Sequence, residues 1–438
     1  HYRSLSASSV LFLDYRGDTA SMADFSQNVL TLYLGDNSAL LMPRMKTIEL
    51  YRKNAKKSND PAVLFQYAQY ILQTALMVDD KTVSLSNSQD SIGSERKHPP
   101  ANSMNDLLHA VPKSASSASL PIPKASLDSR LKKELLKEAV HYLRRLSDRG
   151  YSEAQYLLGD AYSSGALGRV DNKEAFVLFQ HAAKHGHAES AYRTSYCYEE
   201  GLGTGRDARK AVEFLKSAAA RIHPAAMYKL GVYSFYSRMG LPNNVTTKKA
   251  GIQWLLRAVD RANELVAGAP YELAKIHFAG FEDIIIPDKH YALELYAQAA
   301  ALGHVPSATL LGRFYEIGDV VPQDANLSIH YYTQAALGGD AEAMLAMCAW
   351  YLVGADPYLV VDEMEAFEWA KRAALCGLVK AQFALGHFYE KGIGCQANMV
   401  EAEKWYTNAA TAGDAKAIAR MQELRPGAKL PKTVTKKK

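Results

Sequence analysis

The feature that most constrains this chain is a period. From about residue 150 a pair of small residues followed by glycine returns roughly every 36 to 43 residues. It reads Ala182 and Ala183 before Gly186, Ala299 and Ala300 before Gly303, Ala335 and Ala336 before Gly339, Ala373 and Ala374 before Gly377, and Ala409 and Ala410 before Gly413. Weaker copies stand at Ala218 with Ala219 and at Arg257 with Ala258. A second marker runs in step with the first: leucine-glycine, a tyrosine three residues on, then another glycine. Leu158, Gly159, Tyr162 and Gly165 carry it, as do Leu311, Gly312, Tyr315 and Gly318, and Leu385, Gly386, Tyr389 and Gly392. Self-similarity at such a period means stacked supersecondary units, and the usual reckoning of domains from length does not apply.

The spacings resolve each unit into two helices. Ala154, Leu158, Ala161 and Tyr162 share one helical face, and Gly165 stops that helix. A loop leads to a second amphipathic helix, with Ala175, Phe179, Ala182 and Ala183 on one face and Gly186 closing it. Alanine at the closest contacts lets backbones approach while Tyr and Phe fill the space between layers. One pair cannot bury its apolar face alone, so neighbours must stack. The predicted fold is all-α, a right-handed α-solenoid of stacked helix-turn-helix repeats with seven full pairs. Ala139, Leu143, Leu146 and Gly150 match the second helix of an eighth, partial unit one period upstream.

The flanks divide by composition. Residues 129–425 form the array, with Ala415, Ile418 and Met421 in a last short helix that Pro426 ends. Residues 44–76 read as a helical pair, with Ile48, Tyr51 and Ala55 in one stripe and Asp60 and Pro61 opening the next helix through Phe65, Ala68, Tyr70 and Leu72. This pair looks like another repeat whose partner an insertion has displaced. The insertion is residues 77–128, rich in serine with Pro99, Pro100, Pro112, Pro121 and Pro123, which predicts a disordered linker. Residues 1–43 receive no assignment, and residues 426–438 read as a basic disordered tail.

Charge and cysteine content narrow the function classes. The net charge of +5 is small for 438 residues, and much of the excess is local, at Lys124, Arg130, Lys132, Lys133 and Lys137 and at Lys436–Lys438. That excludes nucleic acid as the main partner. Four cysteines without a CxxC spacing suggest neither a disulfide framework nor zinc, and a reducing compartment fits. Cys348 and Cys376 read as small buried residues in the two helices of one repeat. No stretch approaches the roughly 18 apolar residues of a membrane helix. No signal peptide is visible, and a start at His1 rather than methionine suggests a fragment.

A search for chemistry finds no phosphate loop, HExxH or GxSxG. Gly201, Gly203 and Gly205 lack the third position of a dinucleotide fingerprint and sit between two helices. His185 and His187, the tightest histidine pair, lie at a repeat junction with both rings expected to be exposed and no further ligand near. No catalytic residue, cofactor or metal is predicted. Asn244 and Asn326 head glycosylation sequons that read as chance matches. The tyrosine column Tyr156, Tyr192, Tyr228 and Tyr271 belongs to the repeat pattern and reads as packing.

Positions the pattern leaves free are more informative. The residue after the glycine position runs Asp160, Tyr196, Val232, Lys275, Arg313, Ala349 and His387. If this face lines the concave side of the stack, Asp160, Tyr196, Lys275, Arg313 and His387 are the candidate protein-binding residues. A merely solvated face explains the variety equally well.

The markers quoted above resemble the Sel-1-like repeat family, relatives of the tetratricopeptide repeats, over about two thirds of the chain. Four segments are narrower in their likeness: Leu41 to Tyr70, Gly159 to Gly168, Glu189 to Gly201 and His223 to Gly231. These resemble the fungal activators of chitin synthase III. The resemblance implies a non-catalytic scaffold that binds and activates the membrane-embedded catalytic subunit of that synthase. It further implies a septin-associated scaffold protein as a second partner, peripheral membrane contact, and a place on the cytoplasmic side of the plasma membrane at the bud neck or septum. Family members often end in a prenylation box, whereas this chain ends Thr433 to Lys438 without a cysteine. Two other uses of such repeats are alternatives. An adaptor in quality control at the endoplasmic reticulum would call for a signal peptide, and a hydrolase would call for a nucleophile and base.

Overall fold

The computed structural model describes residues 42–77 and 124–424. The first 41 residues, most of the expected linker and the basic tail lie outside the described residues. Eighteen α-helices, one short 3-10 helix (Glu264–Val266) and two isolated bridges make up the described secondary structure. Two compact units divide the chain, one up to Arg221 and the other from Ile222.

In the first unit, α1 (Met42–Lys57), α2 (Pro61–Met77) and α3 (Lys124–Asp148) precede two helix pairs, α4 (Ser152–Ser164) with α5 (Asn172–Lys184) and α6 (Ala188–Glu200) with α7 (Ala208–Ala220). The segment 61–77 and the partial unit around Ala139 are two halves of one pair: α2 packs lengthwise on α3 across the insertion. Leu64, Tyr67, Ala68, Ile71 and Leu72 meet Leu135, Ala139, Leu143 and Leu146 in one core. A charged link fastens α1 to this pair. Arg52 donates from Nε to Glu138 Oε1 (3.0 Å), and the Tyr67 hydroxyl donates to the same oxygen (2.7 Å). Helix α3 begins at Lys124, inside the stretch whose composition reads as linker.

The second unit holds five pairs and a closing helix: α8 (Pro224–Phe235) with α9 (Val245–Val259), α10 (Gly268–Ala279) with α11 (Lys289–Ala301), and α12 (Val305–Ile317) with α13 (Ala325–Leu337). Then come α14 (Ala341–Val353) with α15 (Glu363–Leu375), α16 (Val379–Lys391) with α17 (Met399–Thr411), and α18 (Ala415–Leu424). The seven pairs from α4/α5 to α16/α17 are repeats one to seven, each with a first helix and a second. Within a unit, each first helix packs chiefly on its own second helix and next on the second helix before it. The expected all-α stack of helix pairs is what the chain forms.

Three local devices repeat with the period. Every second helix is opened by an acidic or amide cap: Asp171, Asp207, Asn244, Asp288, Asp324, Asp362 and Asn398 each accept from backbone N–H groups of the first turn. First helices are opened by a histidine in repeats two, three and five, where His187, His223 and His304 accept at Nδ1 from the N–H three residues on. His187 is therefore a half-buried cap, bonded also to Ser190 Oγ at 2.8 Å, and not the exposed ring that its junction position suggests. The third device is the helical glycine of the leucine-glycine marker. A Cβ there would lie 2.9 Å from the Phe179 ring at Gly159, 2.7 Å from Tyr332 at Gly312 and 2.8 Å from Tyr406 at Gly386. The glycine seats a ring of the facing helix.

Candidate functional site

With no nucleotide loop or ligand cluster to build on, the candidate site is the surface that the first helices present beside their packing face. Gly203, in the middle of the glycine cluster, holds a turn: its φ is +72° and a Cβ would stand 2.0 Å from the Asn172 carbonyl oxygen. Gly394 does the same over Glu363. The Gly201–Gly205 loop thus seats one repeat on the helix start of the repeat before it. Among the described residues, no group of three or more His, Cys, Asp or Glu could hold a metal ion. Burial pushes the Cys197 thiol up to about 11 and the Cys348 thiol up to about 12, so neither is a thiolate near neutral pH. Cys376 is exposed as the C-cap of α15, a correction to its reading as a buried packing residue, because it stands one turn after exposed Arg372 on the outer face, while Ala373 and Ala374 face inward.

In the first unit this surface is polar and closely packed. Asp160 on α4 is buried and sits within electrostatic reach of Tyr156 and Arg193. Arg193 on α6 donates from Nε to Glu189 Oε1 at 2.8 Å. Burial opposes its charge, but Glu189, Tyr156 and Asp160 more than offset this and hold its pKa above the ordinary value. Burial also pushes Tyr192 up to about 12. Of the two candidates here, Tyr196 is 40% exposed whereas Asp160 is 3% exposed. Asp160 therefore acts inside the array, within electrostatic reach of Tyr156 and Arg193.

The tyrosine column packs as its pattern suggests. Tyr156 lies against the capping ring of His187, centroids 4.8 Å apart, and Tyr271 against that of His304 at 4.6 Å. Tyr228 closes over Gly268, where a Cβ would meet its hydroxyl at 2.7 Å.

In the second unit the surface changes character along the repeats. Lys275 on α10 is tied into a local group: its Nζ donates to Glu272 Oε2 (3.0 Å), which also accepts from the Tyr236 hydroxyl (2.9 Å). Burial lowers the Lys275 pKa, yet Glu272 and Tyr236 outweigh it and keep the ammonium charged. Arg313 on α12 is exposed. Beyond it, between α14 and α16, lies an apolar groove of about 320 Å³. Leu345, Ala349 and Leu352 wall it from α14, Phe383, Ala384 and His387 from α16, with Cys348 and Phe388 at its base. His387 is thus a candidate that the fold places in a concavity, while Lys275 and Arg313 stand on separate repeats. Sequence reasoning did not find the groove. Its signal was there: Leu345 and Phe383 stand where repeats one to four have tyrosine, and Ala349 and Ala384 remove the bulk that would fill it.

Stacked helix pairs with capped starts define a helical-repeat protein. Residues 152–187, 188–223, 224–263, 268–304, 305–340, 341–378 and 379–414 match the Sel1 repeat, and the chain belongs to the Sel1 repeat family. It is 55% identical over 428 residues to the chitin synthase regulator SKT5 of Saccharomyces cerevisiae, covering 96% of this chain and 57% of that protein. It is 34% identical over 273 residues to chitin synthase regulatory factor 3 of Schizosaccharomyces pombe, covering 62% of this chain and 29% of that protein. The chain therefore spans only part of the length of either relative. Among solved structures, a protective antigen of uropathogenic Escherichia coli with an SLR fold has a TM-score of 0.58 at 24% identity, over 70% of this chain and 67% of that one. That likeness is one of fold alone.

Proposed function

We propose that this chain is a non-catalytic regulator that binds the catalytic subunit of chitin synthase III, raises its activity and helps to place it. The placement would be the cytoplasmic side of the plasma membrane at the bud neck or septum, with a septin-associated scaffold protein as second partner and only peripheral contact with the membrane. The observation that carries this reading is the 55% identity, across nearly the whole chain, to a protein named as a chitin synthase regulator. No described helix is long and apolar enough to cross a membrane, which agrees with attachment through a partner.

Activation by binding has a thermodynamic requirement. The regulator must hold the active conformation of the synthase more tightly than the inactive one. Moving a population from about 1:99 to 99:1 takes a preference of about 5.5 kcal/mol. An interface of ordinary size supplies that when a few buried anchors dominate it. The groove between α14 and α16 is shaped to receive such an anchor; Lys275, Arg313 and His387 are proposed as further contacts of the second unit, and Tyr196 as a separate contact of the first.

The test is chitin synthesis by membranes that contain the catalytic subunit, titrated with the purified chain. A saturable rise, lost in the double variant Ala349→Arg with Ala384→Arg, is the expected result. Co-purification without a rise would reduce the role to placement. No association of the intact chain would refute the assignment.

A further inference from the structure

Two loops of the second unit do more than packing asks of them. In repeats one, two, five and seven, the first helix is joined to the second by seven residues counted from the closing glycine to the cap: Gly165–Asp171, Gly201–Asp207, Gly318–Asp324 and Gly392–Asn398. Repeats four and six use nine, Gly280–Asp288 and Gly354–Asp362, as does repeat three from a C-cap that is not glycine, Tyr236–Asn244; of these three, only the loops of repeats four and six contain a bridge. Seven residues evidently suffice to return the chain to the stack. The two bridged loops are built alike. Phe281 bridges to Ile285, and Ala355 to Leu359. The N–H of each capping aspartate then donates back to the first helix, Asp288 to the His277 carbonyl and Asp362 to the Tyr351 carbonyl.

What the two extra residues achieve is an apolar apex. Ile286 is 83% exposed, and Val360, its counterpart in the other loop, is 81% exposed. Tyr358 and Val361 in the loop, Val353 before it and Met364 after it are also exposed. Beside the first apex is an open hollow of about 490 Å³ in which Ile284, Ile286 and Pro287 face His277, Tyr291, Asp288 and Lys289, wide enough to take an apolar side chain beside polar groups. Exposed apolar residues grouped in this way mark an interaction surface.

Charge selects the occupant. Glu282, Asp283 and Asp288 surround the first apex, and Asp356, Asp362, Glu363 and Glu365 the second, all exposed. Neither Gly280–Asp288 nor Val353–Glu365 contains a lysine or arginine; Lys289 lines the hollow and lies over the Phe278 ring at 5.7 Å, and Lys248 lies over the Phe281 ring at 5.4 Å, so carboxylates outnumber the cations beside the first apex. An anionic lipid surface would be repelled. A second copy docking edge to edge would set like charges together. We propose that the loop edge of repeats four and six binds a peptide segment with an apolar core flanked by lysine or arginine, contributed by another protein. This surface lies on different residues from the groove contacts and does not depend on what the groove binds.

The experiment is selection of a displayed random dodecapeptide library on the full chain, with counter-selection on the variant Ile286→Ser with Val360→Ser. Both side chains are more than four-fifths exposed, so the variant should keep the fold, as circular dichroism would verify. The expected peptides carry an apolar core and basic flanks. They should lose at least tenfold in affinity to that variant, and several-fold to Glu282→Lys with Asp283→Lys, with weaker salt dependence in the latter. The proposal is overturned if no selected peptide distinguishes the intact chain from the serine variant, or if those that do have acidic flanks. It is equally overturned if the serine substitutions abolish self-association in sedimentation or binding to anionic vesicles instead, since a second copy or a membrane would then be the occupant.

Discussion

Replacing Gly386 by alanine sets two general effects against each other at one atom. In an exposed helix interior the change stabilises by about 1 kcal/mol, because glycine is the poorer helix former. Here the new methyl would lie 2.8 Å from two ring carbons of Tyr406. That ring is fully buried, and its hydroxyl donates to Glu390 Oε2 at 2.8 Å. Arg420 of α18 holds the same carboxylate, donating from Nε to Oε2 at 3.0 Å. The ring therefore cannot retreat without loosening a hydrogen bond to a charged acceptor, itself worth about 1.5–3 kcal/mol. Overpacking of this kind costs about 1–3 kcal/mol. The net effect of Gly386→Ala should be a destabilisation of about 1–2 kcal/mol, opposite in sign to the helix-propensity expectation. Urea unfolding gives the magnitude, and hydrogen exchange should place the loss in α16 and α17. A matched Gly386→Ala with Tyr406→Phe should lose less than the sum of the two single changes, since an untethered ring can shift. A gain in stability for Gly386→Ala, or strict additivity in the double variant, would refute the reasoning.

Burial depresses the pKa of His304 despite the opposing Glu272, so the folded chain binds its proton less readily than the unfolded chain, whose value is near 6.5. Stability tied to this cap is present above about pH 6.5 and falls as pH drops below it, by at most about 1.4 kcal/mol per pH unit; His304→Asn, which keeps an acceptor, should flatten that part of a melting-temperature profile between pH 5 and 8. Glu390 behaves as a depressed carboxylate, held by Arg420 at about 2 against an ordinary 4.5. Its contribution is complete above pH 4.5 and declines towards pH 2, so Glu390→Gln should remove part of the acid-side drop in the urea midpoint between pH 5 and 3. Gly203→Ala combines a positive φ with a Cβ 2.0 Å from a carbonyl oxygen and should destabilise by about 3 kcal/mol, with exchange protection lost first in α5 and α6.

The period made the helix pairs legible because each marker is local. Ala182, Ala183 and Gly186 lie within one turn and its closure, and the same three residues return in four further copies. The reason for Gly312 was not legible, because the ring that needs its space is Tyr332, on the facing helix. The caps could have been read and were not: glycine, histidine, two residues and serine at Gly186–Ser190 recur at Gly303–Ser307, and the interval from His to Ser is that of a side chain accepting from the third N–H of a helix. The pairing of α2 with α3 could only be suspected. Its halves match different parts of the repeat and stand apart in sequence, so no local spacing joins them; Arg52, Tyr67 and Glu138 do so in space.

Variation in residue type and variation in loop length carry different information about a surface. At the variable position on the first helices, Asp160 and Arg313 look alike in sequence, two charged residues following a helical glycine. Yet Asp160 is buried within electrostatic reach of Tyr156 and Arg193, whereas Arg313 is open to solvent. Identity varies for two reasons, absence of constraint and a different local constraint, and the side chain alone does not separate them. Loop length does, because the stack fixes the minimum. Seven residues close the turn in four repeats, so the two added in repeats four and six answer to something outside that turn, and the residues they carry outward are Ile286 and Val360 rather than the polar residues that solvent alone would favour. For a repeat protein, departures from the period in length are therefore the sharper guide to where partners bind.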